Sequence, residues 1–285
     1  MIVITGAAGF IGSALCRKLN AHGIQEIILV DDFTPEIKRK NWNTLACTDL
    51  IQREDFFKWA EKNGQHVDFI FHLGARTDYF ATDDAVFDML NIDFSQRLWS
   101  FAATKGVPFI YASSYLANPH YHLSAFAKSK LLFDQWIEKQ QQHTPPLWAG
   151  LKLYQVYGKN EAHKGKNASN VYKIYGKYVE NAAVVHVAEN IIQDYIYIND
   201  VVKTLYYFLM HVPKSGIYET GTGFARPLHA IVDALNKAGK GEPKLILECR
   251  KESQNISQAD LTALRKYAYK QPFLTLEEGV KRMLW

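Results

Sequence analysis

The chain has 285 residues, of which 48% are hydrophobic and 22% are charged, and its formal net charge is +4 at pH 7. This length and composition predict a folded globular protein with one large core and a smaller lobe, and they exclude an intrinsically disordered chain. The 33 basic and 29 acidic side chains are interspersed. No basic stripe therefore indicates a nucleic-acid partner, and no apolar run reaches the roughly 18 residues that a membrane span needs.

Cysteine usage and the first residues indicate the compartment. The three cysteines, Cys16, Cys47 and Cys249, are odd in number and far apart, which favours reduced thiols over a disulfide framework or a zinc site. Residues 1–5 are predicted to form a strand, and they lack the basic, apolar and cleavage regions of a signal peptide. We therefore expect a cytoplasmic protein without a metal site.

The first strand runs directly into a loop with three regularly spaced glycines. Gly6 lets the chain turn off the strand, Gly9 leaves no side chain between backbone and ligand, and Gly12 lets the next helix pack closely on the sheet. A diphosphate then binds where that helix begins, at Phe10 and Ile11, because free N–H groups and the helix dipole converge there. The loop predicts a dinucleotide site, although glycine turns of this kind also occur for structural reasons alone.

The second predicted strand, residues 26–30, ends in two acids, Asp31 and Asp32, at the distance expected for the acid that meets the adenosine ribose. A carboxylate at Asp31 suits NAD, whose ribose carries a free 2′-hydroxyl. Lys38 and Arg53 lie downstream, where they could neutralise the 2′-phosphate of NADP, and the alternative for each is a solvated surface charge. From these residues both forms of the dinucleotide stay open.

Apolar strand-like runs alternate with helical patterns along the chain. The predicted strands are 1–5, 26–30, 44–48, 68–72, 107–112, 149–156 and 216–221. The predicted helices lie near 10–21, 53–62, 83–104, 122–142, 200–211, 227–238, 257–267 and 275–284. This alternation predicts an α/β protein with a Rossmann-type, doubly wound parallel sheet.

The alternation stops near residue 157, where the chain becomes polar, basic and tyrosine-rich. We predict a dinucleotide-binding Rossmann domain of residues 1–157, to which 190–224 return. Residues 158–189 and 225–285 are predicted to form a smaller C-terminal substrate-binding lobe. Ligands of open α/β sheets lie beyond the carboxyl ends of the strands, so this lobe is expected to close over the nicotinamide end of the cofactor.

The predicted strand at 107–112 leads to Ser114 and to a helix that carries Phe126 and Lys130. Together with the glycine loop, this pattern resembles the extended short-chain dehydrogenase/reductase superfamily. In that superfamily a serine or threonine and a Tyr-x-x-x-Lys pair form the reaction centre, which implies catalytic roles for Ser114 and Lys130. Residues four apart share one helix face, so the lysine can hold the nicotinamide ribose and lower the pKa of the tyrosine.

Phe126 occupies the tyrosine position, and a phenyl ring has no proton to exchange. Positioned general acid–base catalysis contributes about 10²–10⁴-fold, so a tyrosine-dependent step would lose most of its rate. Three interpretations stay open: an enzyme with another base, a non-catalytic binder, or a tyrosine altered to trap a complex. Tyr115 and Tyr121 could supply a hydroxyl, but neither has the four-residue spacing to Lys130, which favours packing roles.

Residues 153–165, 193–201 and 257–262 resemble the bacterial ADP-glycero-manno-heptose 6-epimerases, and the similarity covers nearly the whole chain. The resemblance implies a nucleotide-sugar substrate, bound NADP with NAD as the alternative, and a homo-oligomer. It implies that C6 of the heptose is oxidised to a ketone and reduced again from the opposite face. Lys164, in the sequence His-Lys-Gly, is then a second acid/base; an ordinary loop lysine is the alternative.

The same resemblance implies the remaining contacts with the cofactor and the substrate. The cofactor contacts it implies, beyond the glycines, are Phe10, Ile11, Asp31, Asp32, Lys38, Arg53, Leu73, Gly74, Ala75, Arg76, Asn91, Lys130, Val156 and Lys164. The substrate contacts are Ser114, Gln155, Lys166, Lys173 and Gln193.

Two of these positions depart from the family pattern, because Gln155 replaces an asparagine and Gln193 replaces an arginine. An arginine binds a diphosphate bidentately, and a glutamine cannot replace its charge. Lys164, Lys166 and Lys173 could carry the diphosphate instead, the alternative being a solvated polar face.

Overall fold

The computed structural model describes residues 1–120, 124–140, 142–180, 191–239 and 255–285. Tyr121 and Cys249 lie outside the described residues, as do parts of the predicted helix at 122–142 and of the predicted lobe.

Up to residue 153 the strands and helices alternate as the pattern predicts, whereas the helix Asn170–Val179 and the strands Ile191–Tyr197, Ala225–Pro227 and Asn255–Ser257 were not predicted. The strands are β1 (Ile2–Thr5), β2 (Ile27–Asp31), β3 (Asp49–Gln52), β4 (Phe69–His72), β5 (Phe109–Ser114), β6 (Trp148–Leu153), β7 (Gln155–Tyr157), β8 (Ile191–Tyr197), β9 (Gly216–Thr220), β10 (Ala225–Pro227) and β11 (Asn255–Ser257). The helices are α1 (Phe10–Asn20), α2 (Arg39–Trp42), α3 (Phe56–Asn63), α4 (Asp84–Phe87), α5 (Phe94–Lys105), α6 (Ala125–Glu138), α7 (Asn170–Val179), α8 (Ile198–Met210), α9 (His229–Ala238), α10 (Thr262–Tyr267) and α11 (Leu276–Leu284). Short 3₁₀ segments lie at Glu36–Lys38, Arg53–Asp55, Gly64–His66 and Ala162–Asn167, and a π-helical segment, Asp88–Asp93, joins α4 to α5.

Among the described residues, seven strands form a central sheet in the order β3-β2-β1-β4-β5-β6-β9. The pairs β1–β2, β1–β4, β2–β3 and β4–β5 are parallel. The strand order reverses between β1 and β4, and ligands of such sheets bind beside that reversal at the carboxyl ends of the strands. The prediction of a Rossmann-type doubly wound sheet is confirmed, and the glycine loop leaves the sheet at the reversal.

The core of the central sheet explains why its strands are almost uninterrupted apolar runs. Helices cover the sheet, so consecutive residues of β1, β2 and β4 are buried rather than alternating with exposed ones. On one face Phe56, Leu98, Trp99 and Phe133 from α3, α5 and α6 belong to the same buried cluster as Val3 of β1. Burial of these large side chains stabilises the scaffold on which the loops after each strand are held.

A second, smaller sheet contains β7, β8, β10 and β11. Strand β8 pairs in parallel with β7 and β11 and antiparallel with β10. Helix α11 packs on α9 and β8, and it begins with a capping box in which Thr275 and Glu278 each bind the other's backbone N–H. None of the described helices is long and apolar enough to cross a membrane.

Two strand predictions are wrong in detail. The strand predicted at 44–48 is instead Asp49–Gln52, because pairing with β2 begins at Asp49 and buries Ile51. The run predicted at 149–156 is two strands, β6 in the central sheet and β7 in the second sheet. The backbone N–H of Tyr154, between them, donates to the Thr220 carbonyl.

By their contacts the residues divide into two units, Met1–Lys152 with Val202–Tyr218, and Leu153–Val201 with Glu219–Trp285. These bounds differ from the predicted 1–157 and 190–224, because β7 and β8 pair with each other and not with the central sheet. That the second unit holds a substrate stays a prediction.

Candidate active site

The glycine loop has the shape that a diphosphate needs. Gly6 has a φ of 71°, and a Cβ there would lie 2.5 Å from the Gly74 nitrogen. A Cβ at Gly12 would collide with the Gly6 carbonyl oxygen. Gly9 is the N-cap of α1, and no side chain of the described residues caps that helix end. A close backbone turn beside the start of a helix is an anion-binding arrangement, so the residues fit a dinucleotide.

Asp31 connects the glycine loop to the end of β2. Its buried carboxylate accepts a hydrogen bond from the Ala8 backbone N–H through Oδ2, at 2.9 Å. The other oxygen, Oδ1, accepts one from Lys38 Nζ at 3.0 Å. The predicted ribose acid therefore also fixes the loop, and it holds Lys38 at the position predicted for the cofactor.

Two cations lie at the carboxyl end of β2. Hydrogen bonds from Thr34 lower the pKa of the Asp32 carboxyl most, and the charges of Lys38 and Arg53 lower it further. Lys38 and Arg53 are therefore close enough to act on one carboxylate, although they are separated in sequence. The structure brings Asp31, Asp32, Lys38 and Arg53 together as predicted.

The loop after β4 lies directly beside the glycine loop. The backbone N–H of Leu73 donates to the Thr5 carbonyl at 3.1 Å, and that of Gly74 donates to Thr5 Oγ1 at 3.3 Å. Two residues after Gly74, the Arg76 N–H donates to Asn91 Oδ1 at 2.7 Å, and Asn91 Nδ2 donates to the Arg76 carbonyl at 3.0 Å. The predicted cofactor contacts at 73–76, which include Ala75, thus lie beside the point where the strand order reverses between β1 and β4.

His72 lies at the centre of a buried hydrogen-bond chain that sequence reasoning missed. Its Nδ1 is 2.7 Å from Thr5 Oγ1, and its Nε2 is 2.7 Å from Ser95 Oγ, which donates to the Asn91 carbonyl. Burial lowers the pKa of His72 to about 3, and the charge of Lys130 acts in the same direction. The imidazole is therefore neutral at physiological pH.

The buried hydrogen-bond chain continues from Asn91 to helix α6. Asn91 lies in the π-helical segment, and its Nδ2 donates to Ser129 Oγ at 2.9 Å. Ser129 Oγ in turn donates to the Phe126 carbonyl at 2.8 Å. Buried side chains therefore connect β1, β4 and the loop at 73–76 with the first turns of the helix that carries Phe126 and Lys130.

Lys130 and Ser114 both lie at the carboxyl end of β5. Lys130 is buried, and its Nζ donates to the Ala112 carbonyl at 2.7 Å. Burial lowers the pKa of Lys130 to about 8, while the charge of Asp134 opposes this shift. Ser114 Oγ accepts a hydrogen bond from the Leu116 backbone N–H at 3.2 Å. The structure thus brings the two predicted catalytic residues to one edge of the sheet.

Asp134, which the sequence reasoning passed over, holds β5 against α6. One of its oxygens accepts from Tyr111 Oη at 2.9 Å and the other from Ser113 Oγ at 2.7 Å. Burial raises the pKa of Asp134, although Ser113 and the charge of Lys152 lower it. The available signal was its spacing, because Asp134 lies one helical turn after Lys130 and on the same face.

Phe126 is 4% exposed, and its ring packs edge-on against Tyr79. The two ring centroids are 5.1 Å apart and the planes are inclined by 80°. Tyr79 is 42% exposed and lies in the loop after β4. Sequence reasoning considered Tyr115 and Tyr121 for the missing hydroxyl and missed Tyr79, whose nearness to Phe126 depends on the path of a loop.

In the second unit, Lys164 is paired with a buried acid. Its Nζ lies 2.8 Å from Glu161 Oε2, and Glu161 also accepts hydrogen bonds from the Gly158 and Ser169 backbone N–H groups. Burial lowers the pKa of Lys173, while Glu161 raises it and Lys164 lowers it. Lys164 and Lys173 therefore lie around the same carboxylate, and Lys166 is exposed on the 3₁₀ segment.

The two glutamines lie on neighbouring strands of the second sheet. Gln155 of β7 is opposite Tyr195 of β8, with Val156 next to it in β7. Gln193 of β8 is opposite Arg226 of β10 in an antiparallel pair. Directly opposite residues in such a pair share one face of the sheet, so an arginine that the sequence did not indicate accompanies the glutamine at 193. The guanidinium group of Arg226 is paired with Glu277, with Nη2 2.8 Å from Oε1.

The predicted residues thus form two sets. The cofactor loops, Ser114, Phe126 and Lys130 belong to the first unit, and Gln155, Val156, Lys164, Lys166, Lys173 and Gln193 belong to the second. Among the described residues, no group of three or more histidine, cysteine or carboxylate side chains could hold a metal ion.

Sequence comparison agrees with the geometry of the first set. Residues 2–221, which are most of the chain, match the NAD dependent epimerase/dehydratase family. The chain belongs to this family. The predicted membership of the extended short-chain dehydrogenase/reductases is confirmed, and the family description agrees with the predicted nicotinamide dinucleotide, while it does not distinguish NADP from NAD.

Relatives within the NAD dependent epimerase/dehydratase family extend the similarity to the full chain. The ADP-L-glycero-D-manno-heptose-6-epimerases of Fusobacterium nucleatum and Brachyspira hyodysenteriae are each 32% identical to it, over 99% of this chain and 96% of theirs. The crystal structure of the Helicobacter pylori ADP-L-glycero-D-manno-heptose-6-epimerase superposes with a TM-score of 0.86 at 24% identity, covering 99% of this chain and 94% of that one. That superposition shows the shared fold.

Proposed function

We propose that the chain is a nucleotide-sugar epimerase that interconverts the C6 epimers of ADP-glycero-manno-heptose with bound NADP. The observation that carries the proposal is the buried hydrogen-bond chain from Thr5 to Ser129, which joins the glycine loop, the loop at 73–76 and the Lys130 helix into one preformed site. The full-length similarity to two heptose epimerases supports the choice of sugar.

The choice of NADP rests on the end of β2. Asp31 accepts hydrogen bonds from Ala8 and Lys38, so a second cation is required beside it if a 2′-phosphate is to be neutralised. Arg53 meets this requirement, because its charge acts on the neighbouring Asp32. We infer that Lys38 and Arg53 bind the 2′-phosphate, since charge-assisted hydrogen bonds to phosphate are stronger than neutral ones.

The residues of the reaction centre bind the cofactor, position the sugar and transfer protons. A bound nicotinamide dinucleotide supplies a hydride acceptor and donor. Lys130, buried beside Ala112, holds the nicotinamide ribose, and Ser114 positions the reacting hydroxyl of the sugar by hydrogen bonding. Lys164, ion-paired with the buried Glu161, is the acid that donates a proton to the reacting oxygen when the sugar presents its other face, and the resulting neutral amine is the base in the reverse direction.

The second unit supplies the other substrate contacts in this proposal. Gln155, Gln193 and Arg226 lie on adjacent strands of one sheet. Arg226, whose guanidinium group is paired with Glu277 through Nη2, supplies in this proposal the charge that Gln193 lacks for binding a diphosphate. Lys173 and Lys166 are further cations for the same group. The homo-oligomer and the cytoplasmic location stay predictions.

One observation favours a second function. Phe126 is buried at the tyrosine position and carries no proton-exchanging group, which is expected of a non-catalytic protein that binds a dinucleotide and a nucleotide sugar. The two functions share a cofactor and differ in turnover.

Mild purification followed by mass analysis of the released dinucleotide tests the proposal, together with chromatographic separation of the two C6 epimers after incubation with one of them. We expect NADP and slow interconversion. Absence of a dinucleotide, combined with no protection against thermal unfolding by added NAD or NADP, would contradict both functions. Bound dinucleotide without turnover of any nucleotide sugar would contradict the epimerase function and support the non-catalytic binding function.

The cofactor preference is tested with Lys38→Ala and Arg53→Ala in protein stripped of nucleotide. Each variant is expected to weaken NADP binding about tenfold or more, because a charge-assisted hydrogen bond contributes about 1.5–3 kcal/mol, and to leave NAD binding nearly unchanged. Lys58→Ala, an exposed lysine on α3, is the matched control. Equal losses for NAD and NADP would contradict the assignment.

A further inference from the structure

We propose that Tyr79 supplies the phenolic hydroxyl that Phe126 lacks, so that the proton-exchanging group of this site comes from the loop after β4. The proposal rests on the epimerase function proposed above. It assigns a catalytic role to a residue outside the Ser114–Phe126–Lys130 pattern, and it explains how the chain turns over with a phenylalanine at the tyrosine position.

The first argument is the contact between the two rings. Phe126 precedes Lys130 by one helical turn and shares its face of α6, so its ring marks the place where the reaction needs a hydroxyl. The Tyr79 and Phe126 rings form a T-shaped pair, with centroids 5.1 Å apart. An edge-to-face pair at this separation is a favourable packing arrangement. The phenol is therefore held next to the ring that it replaces in function.

The second argument is the path of the loop that carries Tyr79. Its first residues are fixed beside the glycine loop by Thr5. The backbone of Arg76 is fixed by the oxygen and the nitrogen of the Asn91 side-chain amide. Tyr79 itself lies in a turn in which the Asp78 side chain accepts from the Phe80 N–H at 3.1 Å. Hydrogen bonds between side chains and the backbone on both sides of Tyr79 therefore hold this loop at the carboxyl end of β4.

The third argument is access. Phe126 is 4% exposed, whereas Tyr79 is 42% exposed. The Tyr79 ring is thus in contact with the buried Phe126 ring, while a substantial part of the Tyr79 side chain stays exposed. A group that exchanges a proton with a sugar hydroxyl needs this combination of a ring held by packing and a side chain that a substrate can reach.

The proton balance closes over one cycle. The Tyr79 phenolate accepts the proton of the sugar hydroxyl while the hydride on the same carbon leaves to the oxidised nicotinamide dinucleotide, which gives a ketone, a phenol and the reduced cofactor. In the return step the hydride and a proton are given back to the carbon and the oxygen. When Lys164 supplies the returning proton on the other face, one proton passes from Tyr79 to Lys164 through solvent before the next cycle.

Tyr79→Phe tests the role, because it removes only the hydroxyl and keeps the ring contact. We expect kcat to fall by about 10²–10⁴-fold, with the bound dinucleotide, KM and thermal stability close to wild type. The rise of kcat/KM with pH that reports ionisation of a phenol is expected to disappear in the variant. Tyr267→Phe, at an unrelated position with 40% exposure, is the matched control.

The double variant Tyr79→Phe/Phe126→Tyr separates a catalytic role from a structural one. It returns a hydroxyl to the same site from the neighbouring ring, and we expect it to recover at least tenfold of the lost kcat. Tyr115→Phe is made in parallel, because Tyr115 follows β5 directly. Tyr79→Phe within twofold of wild type, or a loss that appears only in Tyr115→Phe, would overturn the proposal.

Failure of this inference is distinguishable from failure of the proposed function. A wild-type chain without turnover that gains it through Phe126→Tyr would overturn the role of Tyr79 and would leave a nucleotide-sugar site. A wild-type chain and a Phe126→Tyr variant that are both inactive on ADP-heptose would overturn the proposed function together with this inference.

Discussion

At positions 6 and 12 the backbone passes too close to its neighbours for any side chain. The φ of Gly6 is 71°, a region that residues with a Cβ seldom adopt, and a Cβ at Gly12 would meet the Gly6 carbonyl oxygen. Both positions of the glycine loop therefore require glycine by geometry, and the sequence indicates both correctly. The role of Phe126 differs, because the sequence shows what is missing there and only the fold shows that Tyr79 lies beside it.

We expect Gly12→Ala to abolish dinucleotide binding and to lower the free energy of unfolding by about 1–3 kcal/mol, as overpacking does. Gly176→Ala is the control, because a Cβ there meets nothing within 4 Å in α7. Replacing a helical glycine by alanine should raise the free energy of unfolding by up to about 1 kcal/mol. Urea unfolding and dinucleotide titration measure both, and normal binding by Gly12→Ala would contradict the assigned loop.

At the level of strands and helices, strand pairing determines which side chains lie next to one another in the proposed substrate site. Register places Arg226 of β10 opposite Gln193 of β8, and it moves the strand predicted at 44–48 to Asp49–Gln52. A three-residue strand such as β10 has no periodic signal, so the sequence could not indicate that Arg226 accompanies the glutamine. Family resemblance indicated Lys164. Its ion-pair partner Glu161, directly before the 3₁₀ segment Ala162–Asn167, was identified only from the structure.

Arg226→Ala should raise KM for the nucleotide sugar about tenfold, since a charge-assisted hydrogen bond contributes about 1.5–3 kcal/mol. Dinucleotide binding should stay at the wild-type value. Arg282→Ala, an exposed arginine on α11, is the control, and Lys173→Ala tests the competing cation. If Lys173→Ala shows the larger effect and Arg226→Ala none, the diphosphate is bound by the lysines instead.

Over the whole molecule, stability and function depend on the same buried polar groups. The hydrogen-bond chain through His72 joins strands and helices that are distant in sequence. Thr5, Ser95 and the charge of Lys130 face the imidazole, and burial lowers the pKa of His72 to about 3, against 6.5 in an unfolded chain. The folded state therefore favours the neutral ring, and its contribution to stability is fully present above pH 6.5 and is lost as the pH falls towards 3.

Lowering the pH from 6.5 to 5.0 should cost the wild-type protein about 2 kcal/mol of unfolding free energy through His72, since each pKa unit corresponds to about 1.36 kcal/mol. His72→Gln keeps polar atoms but cannot titrate, so its stability should depend less on pH by about that amount. Asp134, whose pKa is raised by burial, acts in the opposite direction in both proteins. Urea unfolding at the two pH values measures the difference, and identical slopes would contradict the assignment.

The sequence by itself determined the glycine loop, the acid at the end of β2, the alternation of strands and helices, and the Ser114–Lys130 pair. These features depend on local geometry and on short spacings, which the order of residues expresses directly. Only the tertiary structure decided that Tyr79 contacts Phe126, that Arg226 lies opposite Gln193 and that His72 connects the loops. Such neighbours are set by loop paths, register and burial, which depend on how distant segments pack.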